Sequence, residues 1–300
     1  MRSIGTHSRY RIYRRQSGVA LAILVWFLAG MSILVAGIVY QARMDIKLAQ
    51  LQIGQAEAQA AGDGAIQLAM AELMIREQEG EFHGQGIQSS EVFVGDMSVT
   101  VRIVPVTGLV DLNLASEELL ELLFADSVEL GGGQALARNV VEWRSPEGGD
   151  AADTAGWNEL GGSPRKGRFE AIEDLLLVRG VNRDIFEHIK DSVYVAQQGQ
   201  AGVDWRSAPV SVLAVLNSGD EESAMELAHS RALDSQADVS VPSGMNTLFQ
   251  EEQPLSIFRI DALVKVDGMN YQRRRWVDRG QSGADGLPWR FFRTEPVTVL

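Results

Sequence analysis

The chain has 300 residues, 45% hydrophobic and 22% charged, with a formal net charge of −13 and no cysteine. That suffices for a buried core in one large domain or two ordinary ones, and it excludes a disulfide framework and thiol chemistry. Five of the 27 basic residues precede Gly18 and none of the 40 acidic ones does, so the remainder carries 22 basic against 40 acidic residues. A body that acidic is a poor match for a nucleic-acid backbone.

Val19 to Tyr40 is a run of 22 residues without a charge. As a helix it would span about 33 Å, enough to cross a bilayer core. The apolar part of a secretory signal is usually about 7–15 residues, so this run is long for a discarded signal, although Ala36-Gly37 is a weak small-residue site. Arg2, Arg9, Arg11, Arg14 and Arg15 lie on the N-terminal side. The positive-inside rule keeps that end cytoplasmic and sends the body outward. A plain single-pass anchor is one reading.

The junction adds a second. Basic residues, then Ser17-Gly18, then at once the apolar run, resemble a prepilin leader. The resemblance implies that a membrane peptidase cuts after Gly18 on the cytoplasmic side. The helix is then kept, with Val19 as a methylated N-terminus. Most members of that family carry Glu at the fifth mature position, where this chain has Ile23.

No proline occurs between Gly18 and Pro105, and Gln41 to about Glu79 is rich in good helix formers. Ile66, Met70 and Leu73 fall on one helical face. Gly54, Gly62 and Gly64 are expected to be weak points that bend it. Beyond Gly80–Gly86 the period becomes two. Val92 and Val94, then Met97, Val99, Val101 and Ile103, flank Gly95-Asp96 as a hairpin. Phe258, Ile260, Ala262, Val264 and Val266 alternate against Arg259, Asp261 and Lys265. Asp267-Gly268 then turns the chain into a partner strand, Met269–Arg279, and Trp289–Arg293 adds a short strand. Strands at both ends with helices between predict an α+β fold interrupted by a helical insertion.

The insertion runs from residue 108 to 217. Ser116 caps a helix that carries Glu117 and Glu118 in its first turn and buries Leu119, Leu120, Leu123 and Phe124. Gln134–Trp143 predicts a second helix, and Phe169–Val178 and Arg183–Ser192 two more, joined by Arg179-Gly180-Val181. The stretch 144–167 reads as a Gly-, Asp- and Pro-rich loop. VDLNLASEELLELL from Val110 and VDWRSAPVSVLAVL from Val203 agree at five of 14 positions. Both duplication and chance account for an echo that short.

These segments carry a resemblance to a type II secretion minor pseudopilin family, general secretion pathway protein K. That family shows an Ile-Asn-x-Asn-Thr-Ala-Pro-like entry into a Leu-rich helix, twice. Here Asp111-Leu112-Asn113-Leu114-Ala115 and Asp204-Trp205-Arg206-Ser207-Ala208-Pro209 are imperfect copies. Phe169 to Val193 is similar to its helix–Gly–helix unit, and the family too lacks the glutamate replaced here by Ile23. The resemblance covers essentially the whole mature chain, through the order of its parts. It implies a leader at residues 1–18, a membrane helix at 19–40, a pilin-like helix and first strands at 41–107, the insertion at 108–217, and a linker and closing strands at 218–300. The fold implied is a long N-terminal helix packed on a small antiparallel sheet, with a large inserted helical domain containing helix–hairpin–helix-like units. The role implied is at a pseudopilus tip, aiding assembly and protein export. The partners implied are the other minor pseudopilins, the major pseudopilin, the prepilin peptidase, the inner-membrane secretion platform and inner-membrane lipid, with the body periplasmic and no nucleic acid expected.

Some members of the family hold calcium near an Asp-Trp-x-Asp-x-Asp-like run. Here the run is Glu142-Trp143-Arg144-Ser145-Pro146-Glu147, with Ser145 in place of an acid. Glu147, Asp150 and Asp153 supply oxygen ligands of a kind suited to a hard cation. A solvated acidic loop is the simpler reading, and no metal site is assigned.

The main rival is a single-pass envelope protein whose helix–hairpin–helix grips a ligand or DNA, with Arg179 and Arg183 beside Gly180. The acidic body and outward topology stand against DNA. An enzyme finds less support. His7, His83, His188 and His229 are scattered, and no metalloprotease, hydrolase-elbow or phosphate-loop motif is present. Gly131-Gly132-Gly133 reads as a helix-entry linker, and Glu170, Glu173 and Asp174 as a solvated helix face. Trp143, Trp157, Trp205, Trp276 and Trp289 read as core or partner contacts.

Overall fold

A computed structural model describes residues 17–79, 86–125, 132–145, 167–233, 245–253, 255–284 and 286–300. Helix α1 spans Ser17–Gln78. Its residues up to Ala56 belong to one unit and those from Glu57 onward to a second, compact one. In the first unit every side chain from Val19 to Tyr40 is exposed. Among the described residues α1 is the helix long and apolar enough to cross a membrane.

In the second unit the C-terminal part of α1 lies on an antiparallel sheet. The strands are β1 (Gln88–Val94), β2 (Met97–Pro105), β5 (Ile257–Val266), β6 (Met269–Asp278), β7 (Arg290–Thr294) and β8 (Thr298–Val299). Their order is β1-β2-β5-β6-β7, with β8 also against β6. Period-two alternation sets the faces. Val99, Val101 and Ile103 join Phe258, Ile260, Ala262, Val264 and Tyr271 under Ala58, Ala61, Ala65, Ile66, Ala69, Met70 and Leu73 of α1. The run of alanines lets the helix come close.

Gly62 and Gly64 of α1 serve that approach and leave the helix unbroken. A Cβ on Gly62 would fall 2.7 Å from Arg273 Cβ, and one on Gly64 3.4 Å from Val94. Between them Asp63 receives two bonds from Arg273, Nε to Oδ1 at 2.8 Å and Nη2 to Oδ2 at 3.0 Å. This forked pair fixes the helix on the sheet.

The helical insertion comprises β3 (Val110–Asp111), α2 (Glu117–Ala125), α3 (Gly132–Arg144), α4 (Arg183–Ile189), β4 (Val193–Tyr194), α5 (Val210–Leu216) and α6 (Glu221–Leu233). Two expectations need correction. Phe169–Val178 forms a short 3-10 turn, Ile172–Leu177, because Asp174 draws the N–H groups of Glu170 and Ala171 onto its carboxylate (2.8 and 3.0 Å). The sequence reading also ends the insertion at residue 217. In the structure α6 and residues Met245, Phe249 and Leu255 pack into the same core.

The echo between Val110 and Val203 is a structural duplication. Each copy opens on a parallel backbone pairing, Val110 with Val193 and Val203 with Gln250. In each, the aspartate Oδ1 accepts the N–H two residues on: Asn113 to Asp111 at 2.8 Å, and Arg206 to Asp204 at 3.0 Å. Each then enters a helix that packs on a second helix with a half-buried arginine in its last turn. Arg144 of α3 donates to the carbonyls of Leu112 (2.9 Å) and Ala115 (2.5 Å). Arg231 of α6 donates to Trp205 and to Ala208 (2.8 Å), which are the equivalent positions. Both guanidiniums are pushed below their ordinary value by burial, Arg231 to about 10, with Asp111 and Asp204 respectively opposing.

Removing either fork strands two carbonyls in the interior. Arg144→Met and Arg231→Met are each expected to cost about 2–4 kcal/mol, with Lys restoring only part because it lacks the planar fork. Urea titration of the chain in detergent measures both.

Candidate functional site

The functional features fall in three places: the head of α1, the seam between insertion and sheet, and the helix–Gly–helix turn. Gly18 and Val19 lie in the first turn of α1, and Val19 and Ile23 are exposed. Residues 1–16, including the five arginines, lie outside the described residues. So do Glu147, Asp150, Asp153, Gly131, His7, His83 and Trp157. Among the described residues no group of three His, Cys, Asp or Glu is placed to hold a metal ion. His188 and His229 stand on separate helices, α4 and α6.

The seam is built from charges. Arg259 and Asp261 alternate with the apolar residues of β5. Both are buried, because the insertion covers the far side of the sheet there. Val104, Ile257 and Trp276 of that face belong to the helical core. Arg259 donates to the Asp191 carbonyl at 2.6 Å and to Asp261 at 3.2 Å. Arg274, cross-strand from Asp261, donates to Asp261 at 2.5 Å and to the Asp191 carboxylate at 2.5 Å. Burial raises the Asp191 carboxyl, but Arg274 and Arg259 outweigh it and hold it below the ordinary value. Burial alone would lower Arg274, yet Asp261 and Asp191 keep it raised. Two charges of each sign thus neutralise one another in the joint.

Beside this joint an open cleft of about 1180 Å³ separates the insertion from β7, with Arg168, Glu173, Val195, Ile257, Phe292 and Arg293 among its walls. Glu173 and Arg293 pair at 2.6 Å. Glu170 and Glu173 are exposed, as their reading as a solvated face requires, but they stand at a 3-10 turn rather than on an α-helix, with Asp174 capping the turn and Glu173 reaching β7.

The turn Arg179-Gly180-Val181 is a packing joint. Gly180 has φ +87°, and a Cβ there would strike Leu136 of α3 at 2.9 Å. Asn139 of α3 donates to the Arg179 carbonyl at 2.9 Å. Asn182 caps α4 by accepting from Ile185 (2.9 Å), and Arg183 is held by Glu187 at 2.7 Å. Trp143 stacks near Phe169, ring centroids 6.3 Å apart, while Trp205 and Trp276 are buried and Trp289 nearly so.

Sequence reasoning missed Asp191, Arg144 and Arg231. The one signal available was Arg273-Arg274-Arg275, an unusually basic stretch in a strand of an acidic body.

No protein-family model and no curated protein matches the chain. Among solved structures, it is similar to a chain of the GspK-GspI-GspJ complex from the enterotoxigenic Escherichia coli Type 2 Secretion System. The identity is 13% and the TM-score 0.45, and the match covers 85% of this chain and 98% of that one.

Two predictions follow from the buried acids. Asp111→Asn tests a carboxyl that burial pushes from 3.8 to about 6, with the Asn113 N–H, Arg168 and the Tyr194 hydroxyl offsetting only part. Its Oδ2 has no well-aligned partner and lies against Gly199. Because the folded value exceeds the unfolded one, stability falls as pH rises from about 4 through 6. The variant should exceed the parent by up to about 3 kcal/mol at pH 7.5, with the gap closing near pH 4. Unfolding at several pH values reads the gap, and a pH-independent difference sinks the prediction. Asp261→Ala leaves two buried guanidiniums short of a counter-charge. An expected loss of about 3–5 kcal/mol is measurable by the same titration.

Proposed function

We propose that the chain is a non-enzymatic minor pseudopilin of a type II protein secretion system, placed at the pseudopilus tip. The observation that carries the reading is the junction at Gly18. Ser17-Gly18 directly precedes an uncharged run of 22 residues, and the same helix, α1, continues to Gln78. Beyond Glu57 that helix is the one laid on the sheet.

Each part of that plan has a task. Cleavage after Gly18 removes the arginine-rich leader on the cytoplasmic side and frees the Val19 amine for methylation. The apolar run holds the subunit in the inner membrane, with its body in the periplasm, until the secretion platform draws it into the pseudopilus. There the run packs among the helices of the major and minor pseudopilins. The insertion adds bulk to one face of the sheet, which suits a subunit that no other subunit covers. From that position it starts assembly and assists export.

The N-terminal sequence and mass of the chain recovered from membranes test the reading. A chain beginning at a methylated Val19 is expected, and Gly18→Asp should leave the chain intact from Met1. An intact Met1 in the parent would leave an ordinary anchor. A start beyond Ala36 would mean a discarded signal, and the tip reading would fall.

A further inference from the structure

The two edges of the sheet are built differently. At one edge β7 has five residues, carries Arg290 and Arg293, and meets β6 across a register shift at Trp276/Val277. At the same edge β8, which also pairs with β6, has only two residues. Short strands, charge and irregular pairing are the devices by which natural sheets keep an edge from accepting another strand.

At the other edge β1 is neither short nor irregular, and its single charge is Glu91. Its seven residues, QSSEVFV, pair with β2 in an unbroken antiparallel register. It contains no proline, lysine or arginine, and it ends in Val-Phe-Val, residues that favour strands. Among the described residues its backbone bonds only to β2, so the groups on its outer side are unpaired.

The side chains of β1 are also unfinished. Phe93 lies opposite Ser98, too small to cover the ring, and is 66% exposed. Val92 and Val94 are half-buried at the margin of the core beneath α1. Glu91 accepts from the Ser98 hydroxyl and has no ion pair among the described residues. An added strand would cover the valines on one face, lay a side chain beside Phe93 on the other, and bring a cation to Glu91.

We infer that β1 is a strand-addition site for a different subunit of the same assembly. The added strand carries a basic residue facing Glu91 and an aromatic or β-branched residue beside Phe93. A second copy of this chain does not fit. Antiparallel self-pairing centred on the strand sets Glu91 against Glu91, and like charges directly opposite are destabilising. Glu91 therefore excludes self-association while leaving the edge open to a partner of opposite charge. The identity of the partner rests on the pseudopilin reading; the strand addition rests on the sheet alone.

The test is photo-cross-linking of the full chain in its native membranes. p-Benzoylphenylalanine is placed in turn at Ser89 and Phe93, with Lys265, exposed on the central strand β5, as the control. The expected adducts fall on one segment of a different chain that itself has an N-terminal apolar run. Moving the probe from Ser89 to Phe93 shifts the adduct by about four residues along that segment, as strand pairing requires. Glu91→Lys should lower the Ser89 adduct about fivefold, and Glu91→Gln less. Adducts no stronger than at Lys265, adducts without that shift, or adducts on a second copy overturn the inference. So do adducts on a chain lacking such a run. A methylated Val19 with no adducts at β1 removes this inference and leaves the pseudopilin reading standing. An unprocessed Met1 removes the pseudopilin reading, and with it the identity of the partner.

Discussion

The second unit depends on four charges that meet in one joint, Arg259, Asp261 and Arg274 buried and Asp191 half-exposed at its rim. Arg259, Asp261 and Arg274 stand on adjacent strands, and Asp191 comes from the insertion, between α4 and β4. Removing such ions from water costs several kcal/mol each, and attraction between them returns that only when geometry is good and every charge is answered. Here each arginine meets both aspartates, Arg259 through the Asp191 carbonyl. An apolar joint would tolerate sliding. This one does not, because a shift of one residue would turn Arg259 and Asp261 to the α1 face and bury them against alanine and isoleucine. The joint therefore sets the register of the insertion on the sheet.

The sheet then works as a partition. One face holds α1 through small residues and the Asp63–Arg273 fork. The other holds the insertion through the ionic joint and a corner of shared core at Val104, Ile257 and Trp276. The two faces are secured by neighbouring arginines of β6, Arg273 and Arg274, which point to opposite sides by strand geometry. Within the insertion the repeated arginine fork performs the same service at smaller scale. It satisfies the carbonyls at each helix entry from the far end of the helix pair, so each copy closes on itself.

Much of this was legible because it is local. Alternation and the Asp267-Gly268 turn gave the β5–β6 hairpin and the faces of its apolar residues. The composition of residues 41–79 gave a helix. What was not legible is tertiary. Arg259 and Asp261 carry the pattern of a wet face, and only a segment about seventy residues away in the chain makes that face dry. The echo at Val110 and Val203 was visible, but its confirming residues were not. The arginines follow their aspartates at different distances in the two copies, so no fixed spacing aligns Arg144 with Arg231. Gly62 read as a weak point where the helix bends and proved to be a contact, because propensity describes an isolated helix and Arg273 supplies the missing neighbour.

The absence of charge in the membrane run fits the same accounting. A carboxylate at the centre of a bilayer-spanning helix costs about 2.5–3.5 kcal/mol on insertion scales, and a partner must offset it. In the second unit the buried charges Arg259, Asp261 and Arg274 have such partners in one another and in Asp191. Ile23, like the rest of the run from Val19 to Tyr40, carries no charge that requires one. A helix so built would enter lipid without that penalty.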